Sequence, residues 1–116
     1  MSVLEGAIRM AVEAHTAGKD KAGRPYILHP LAVMFAAERA YRPSVIVTLE
    51  EFMAAAVLHD VPEDHPEYSL SSILAEFGEN VHRIVDGMRR LLSFSTQLNL
   101  FPGAKYETSR ILLSKI

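Results

Sequence analysis

The sequence predicts an all-α domain. Three observations predict it. Apolar residues recur at three- and four-residue spacing along most of the chain, capping signals precede those stretches, and glycine or proline punctuates their ends. The densest β-branched run, Val45-Ile46-Val47, is only three residues long and reads as a connector.

The first helix spans 3–17, with Leu4, Ala7, Ile8, Ala11, Val12 and His15 on its inner face and Gly18 as its stop. Residues 19–28 form a loop marked by Gly23 and Pro25. Pro30 suits the first turn of a second helix to about 41, which Arg42-Pro43 breaks. Thr48-Leu-Glu-Glu51 matches a capping box and opens a third helix, with His59-Asp60 at its far end. Pro62 and Pro66 then force a turn. Ser69 caps a short fourth helix closed by Gly78. Val81, Ile84, Val85 and Met88 make the buried stripe of a fifth. Residues 91–101 are apolar without a clean period, and 104–116 read as a last helical run.

The bulk numbers bound the function. A chain of 116 residues suits one domain, 1–116, and 49% apolar residues suffice for a core. A net charge of −2 argues against a nucleic-acid backbone as partner. There is no cysteine, so any transition-metal site must use His, Asp and Glu. No apolar run approaches the roughly 18 residues of a membrane span, and no signal layout opens the chain. The expectation is a cytoplasmic protein without membrane partners.

The chemistry-bearing residues cluster around His59-Asp60. Glu63-Asp64 follows three residues on, and His29 lies upstream in Tyr26-Ile27-Leu28-His29-Pro30. Each piece alone has a bland reading: a structural histidine beside a proline, a helix-end dipeptide, a solvated acidic turn. Together, Asp60, Glu63 and Asp64 crowd acids that repel one another unless a cation offsets them. His29 and His59 would be its neutral ligands. Imidazole with carboxylate suits Mn, Fe, Co, Ni or Zn better than Ca or Mg. Lys19, Lys21 and Arg24 make the preceding loop basic. They form either a solvated loop or a grip on substrate phosphates. Tyr26 is a candidate for stacking on a base or bonding a phosphate, or for packing on the second helix. His65 reads as an exposed loop histidine, His82 as solvent-facing, and His15 as bonding the loop after it.

Three blocks then match a known pattern. The first is Ala14-His15, Gly18-Lys19-Asp20-Lys21, Gly23-Arg24-Pro25-Tyr26-Ile27 and His29-Pro30-Leu31. The second is Ala54-Ala55-Ala56-Val57-Leu58-His59-Asp60 with Glu63-Asp64. The third is Phe77-Gly78, Val81, Ile84-Val85 and Gly87. In order and spacing, over residues 7–90, they resemble the RelA/SpoT-type hydrolases, small all-helical members of the HD-domain phosphohydrolase superfamily. The resemblance implies a compact orthogonal helical HD-domain fold of five to six helices. It implies His29, His59 and Asp60 as metal ligands and Glu63 and Asp64 as the catalytic pair that orients water and moves protons. It implies Lys21 as a phosphate contact, while Lys19, Arg24 and Tyr26 stay substrate-binding candidates on the residue reading above. The family's best-known reaction removes the 3′-pyrophosphate from (p)ppGpp, usually with manganese.

Two positions depart from that pattern. Asp20 stands where the alarmone hydrolases carry an arginine that packs on guanine. The family's last ligand, an aspartate on a later helix, has no counterpart, because no aspartate follows Asp86. The expectation is therefore a domain lacking its last family helix, with Leu91, Leu92, Phe94, Leu98, Leu100 and Phe101 favouring a homo-oligomer. The leading reading is a phosphohydrolase of a phosphorylated nucleotide. The alternative is a degenerate HD domain that binds nucleotide or protein without turnover.

Overall fold

The computed structural model describes the backbone of residues 1–97 and the side chains of residues 1–90. Six helices follow one another among the described residues: α1 (Val3–Ala14), α2 (Leu28–Ala40), α3 (Leu49–Leu58), α4 (Val61–Asp64), α5 (Leu70–Phe77) and α6 (Glu79–Gln97). The all-α expectation holds. The one departure from helix and loop among these residues is an isolated bridge between Lys19 and Pro25.

α3 organises the packing. Each residue from 52 to 58 is buried, so this helix is apolar all round, as a helix enclosed by others must be. It packs against α1, α2 and α6, and α5 packs against α6. The α1 face is a stripe of alanines, Ala7, Ala11 and Ala14, whose three- and four-residue spacing stacks them on one side. They join Met53, Leu58, Val61, Ile73, Phe77, Val81 and Val85 in the main core. A second cluster of Val33, Ala37, Phe52, Ala56 and Met88 fills the space between α2, α3 and α6.

Local signals fix where the helices begin. The Thr48 side chain accepts from the Glu51 amide at 3.1 Å, and Glu51 accepts from the Thr48 amide at 3.0 Å. Asn80 donates to the same Glu51 carboxylate at 3.2 Å and to the Ile46 carbonyl at 2.8 Å. The box therefore also anchors the start of α6. Ser69 caps α5 through the Ser72 amide. Gly78 closes α5 at φ +92°, a conformation that suits glycine. A further box, Ser2 with Glu5, opens α1.

The structure corrects the sequence reading at several points. α1 stops at Ala14, three residues early, because Ala17 takes the left-handed conformation at φ 67° and the Gly18 amide turns back to the His15 carbonyl. Val12 is exposed, since it lies about 100° round the helix from Ala11. The expected place of His59-Asp60 at the far end of α3 holds, with Leu58 as the last helical residue and His59 as its cap. Pro62 does not break the chain into a plain turn. It sits in the first turn of α4, where its missing N–H has no helical partner to lose. α6 runs on through residue 97, into the stretch whose period was unclear. The apolar side chains from 91 to 101 and the run at 104–116 lie outside the described residues.

Thr48→Ala removes the hydroxyl arm of the box, which accepts from the Glu51 amide, and leaves the backbone amide at position 48 donating to Glu51. Urea denaturation of this variant is expected to show a loss of about 1 kcal/mol. An unchanged midpoint would contradict the cap.

Candidate metal centre

Three helix ends converge beside α3. His59 follows the last buried residue of α3, so it stays inside the core at 0% exposure. Asp60 precedes α4, and its carboxylate makes no capping bond to that helix. It turns instead toward the imidazoles and is likewise fully buried. His29 lies in the first turn of α2, next to the buried Pro30. One ligand atom from each of these residues falls within 4.8 Å of the other two.

The Ala56 carbonyl can only accept, so the His59 Nδ1 at 2.7 Å must carry the proton. In neutral His59, the Nε2 lone pair then faces Asp60 Oδ1 at 3.1 Å. Lone pair against carboxylate is repulsive, and a cation or proton between them makes it attractive. His29 Nε2 lies 3.0 Å from Asp60 Oδ2. The Tyr26 hydroxyl donates to that same oxygen at 2.8 Å. Burial, then Asp60, pushes the Tyr26 phenol well above its ordinary range, so it remains a donor. Two imidazoles and a buried carboxylate, with a carbonyl fixing one ring, form a group that could hold a metal ion, and this donor set is one that suits divalent transition metals.

The loop before His29 is built by Asp20. Its carboxylate accepts from the Ala22 and Arg24 amides, each at 2.9 Å. The Gly23 amide returns to the Asp20 carbonyl with Gly23 at φ +82°. This gives Asp20 a structural role in place of a base contact. Lys19, Lys21 and Arg24 stand exposed around the loop, and Glu63 and Asp64 stand exposed on α4.

A family model described as HD domain matches residues 7–112. This chain belongs to the HD domain family. It is 36% identical over 115 residues to a probable GTP pyrophosphokinase of Mycobacterium leprae, covering 98% of this chain and 13% of that protein. It is 40% identical over 93 residues to the guanosine-3′,5′-bis(diphosphate) 3′-pyrophosphohydrolase of Haemophilus influenzae, covering 76% of this chain and 12% of that protein. A protein of the same name from Aquifex aeolicus is 34% identical over 88 residues, at 76% and 12% coverage. The HD domain chain thus spans about an eighth of the length of these relatives. No solved structure matches it. No helix among the described residues is long and apolar enough to cross a membrane.

Tyr26, His65, His15 and His82 of this HD domain have surroundings that the sequence did not give them. Tyr26 was open between ligand contact and packing, and its hydroxyl is engaged with Asp60. His65 is half-buried, with Nε2 3.0 Å from Nδ1 of the buried His15. The His15 hydrogen bond goes to this partner fifty residues away, while its ring packs on Tyr26 of the loop that follows α1, at 4.7 Å between centroids. His82 is partly buried. Asp86, the last aspartate in the sequence, pairs with Arg89 and Arg90, each at 3.1 Å, and lies outside the group of His29, His59 and Asp60.

Burial, then the neighbouring His65, lowers the pKa of His15 below its ordinary value, although Asp60 and Asp64 act the other way. The unfolded chain therefore takes up this proton more readily than the folded one. The contribution of His15 is fully present above about pH 6.5 and drains as pH falls below it. Denaturation of metal-free protein between pH 7.5 and 5 is expected to show stability falling with acidity, with a shallower fall in His15→Gln. Parallel curves would contradict the assignment.

Proposed function

We propose that this chain is a metal-dependent phosphohydrolase cleaving a phosphate or pyrophosphate ester of a nucleotide, with the 3′-pyrophosphate of (p)ppGpp as the first substrate to try. The observation that carries the reading is the convergence of His29, His59 and Asp60 on one buried point of an HD domain. The printed activity of the Haemophilus influenzae and Aquifex aeolicus relatives supports the substrate class.

In this reading His29, His59 and Asp60 hold the ion, with manganese proposed first and iron, cobalt, nickel or zinc as substitutes. Such an ion lowers the pKa of water toward neutrality and offsets charge on phosphoryl oxygens. The protein's own groups do the rest. Tyr26 keeps Asp60 oriented by donating to Oδ2. Glu63 and Asp64, on the turn that follows Asp60, orient the attacking water and take its proton. Lys21, with Lys19 and Arg24, neutralises phosphate at the rim, lysine as a point charge and arginine as a fork. With Asp20 committed to the loop backbone, phosphate recognition does not depend on an arginine at that position.

The experiment is release of pyrophosphate from ppGpp by manganese-loaded protein, beside His59→Ala. The parent should hold metal and turn over. The variant should hold far less metal and fall with it, because losing even an outer partner costs about 10–100-fold. Equal metal in both would remove His59 from the site. Nucleotide binding without turnover would favour the binding-module reading.

Lys21→Ala is expected to weaken ppGpp and simpler 3′-phosphorylated nucleotides alike, as measured by calorimetric titration. A loss confined to guanine compounds would place this lysine at the base instead.

A further inference from the structure

The His15–His65 pair serves no part of the reaction proposed above, yet it joins the end of α1 to the exit of α4. His65 caps α4, its amide bonding the Val61 carbonyl at 2.8 Å, and its own carbonyl receives the Tyr68 amide at 2.9 Å. α4 is a single turn of four residues and carries Glu63 and Asp64. So short a helix has little stability of its own, and the orientation of its acids depends on what its ends are tied to.

The direction of the tie follows from the nitrogens. If His65 Nε2–H donated to His15 Nδ1, the proton of neutral His15 would sit on Nε2. That atom is buried, with no hydrogen-bond partner among the described residues. A buried N–H without an acceptor is rarer and costlier than a buried lone pair without a donor. The other arrangement avoids it: His15 Nδ1–H donates to His65 Nε2. The proton of His65 then lies on Nδ1, the atom that faces Glu67 Oε1 at 4.0 Å. A metal ion between the two rings would again put a proton on the buried His15 Nε2, so a hydrogen bond is the better account of the 3.0 Å approach. The His15 ring is itself held between Tyr26, at 4.7 Å between centroids, and His65, at 4.8 Å.

We infer that His65 is a positioning residue: by accepting a hydrogen bond from the buried Nδ1–H of His15, it fixes the turn that presents Glu63 and Asp64 to the substrate. The catalytic part of this statement rests on the proposed phosphohydrolase reading, and the tether itself does not. The pair needs an acceptor at position 65, so the side chain there matters by its lone pair and not by its bulk.

The test compares His65→Gln with His65→Leu in the full chain. Glutamine can still present an oxygen to His15, and leucine cannot. With manganese and ppGpp, His65→Leu is expected to lose about tenfold or more in kcat with KM and bound metal unchanged, and His65→Gln to keep most of its kcat. In metal-free protein, amide exchange at Asp64 and His65 should quicken in the leucine variant only. Nitrogen-15 shifts of the parent should place the His15 proton on Nδ1. A leucine variant matching the parent in kcat and exchange would overturn the inference, as would a His15 proton on Nε2. A parent that releases no pyrophosphate would count against the reaction, and exchange with the nitrogen shifts would still decide the tether.

Discussion

Asp60 takes a carboxylate out of water, and the surrounding chain is arranged around that cost. A buried carboxylate is tolerated only when paired and hydrogen-bonded. Here Tyr26 bonds one oxygen and His29 approaches the same atom, while His59 faces the other. Because His59 Nδ1 is committed to the Ala56 carbonyl, the space between His59 and Asp60 calls for positive charge. A divalent ion supplies it without disturbing either anchor.

That demand explains features of the fold that are otherwise unrelated. α3 must be buried from Phe52 to Leu58 so that its end emerges inside the domain. The alanine stripe of α1 lets that helix lie close enough to enclose the site. The capping box at Thr48 fixes where α3 begins, and hence the rotation at which His59 leaves it. On the far side, α4 starts immediately after Asp60, so Asp60 and the acidic pair Glu63-Asp64 share one short piece of backbone. Small errors in the placement of reacting groups cost large factors in rate.

Local features of the fold were legible in the sequence, and long-range ones were not. Thr48 with Glu51 and Ser69 with its helix act within three residues, so they could be read directly. The Val81, Val85 and Met88 stripe follows from helical period alone. The grouping of His29 with His59-Asp60 was read first from their donor chemistry and the acids crowded beside them, and the resemblance of the three blocks implied it again. The early end of α1 was missed because an alanine, Ala17, adopts the left-handed turn expected of Gly18. Asp20 did carry a readable signal, aspartate followed three residues later by glycine, the pattern of a type I turn. Tyr26 to Asp60 spans 34 residues and His15 to His65 spans 50. No periodicity or propensity reports such contacts, which exist only once α1, α2 and α3 have packed.

One divalent ion is expected at the point where His29, His59 and Asp60 meet. Anomalous diffraction from a manganese-soaked crystal, recorded at the metal edge, tests it directly. A single strong peak bonded to His29 Nε2, His59 Nε2 and an Asp60 oxygen is expected, with Tyr26 still on Asp60. A peak among other residues, or none while His59 Nε2 keeps a proton against Asp60, would contradict it.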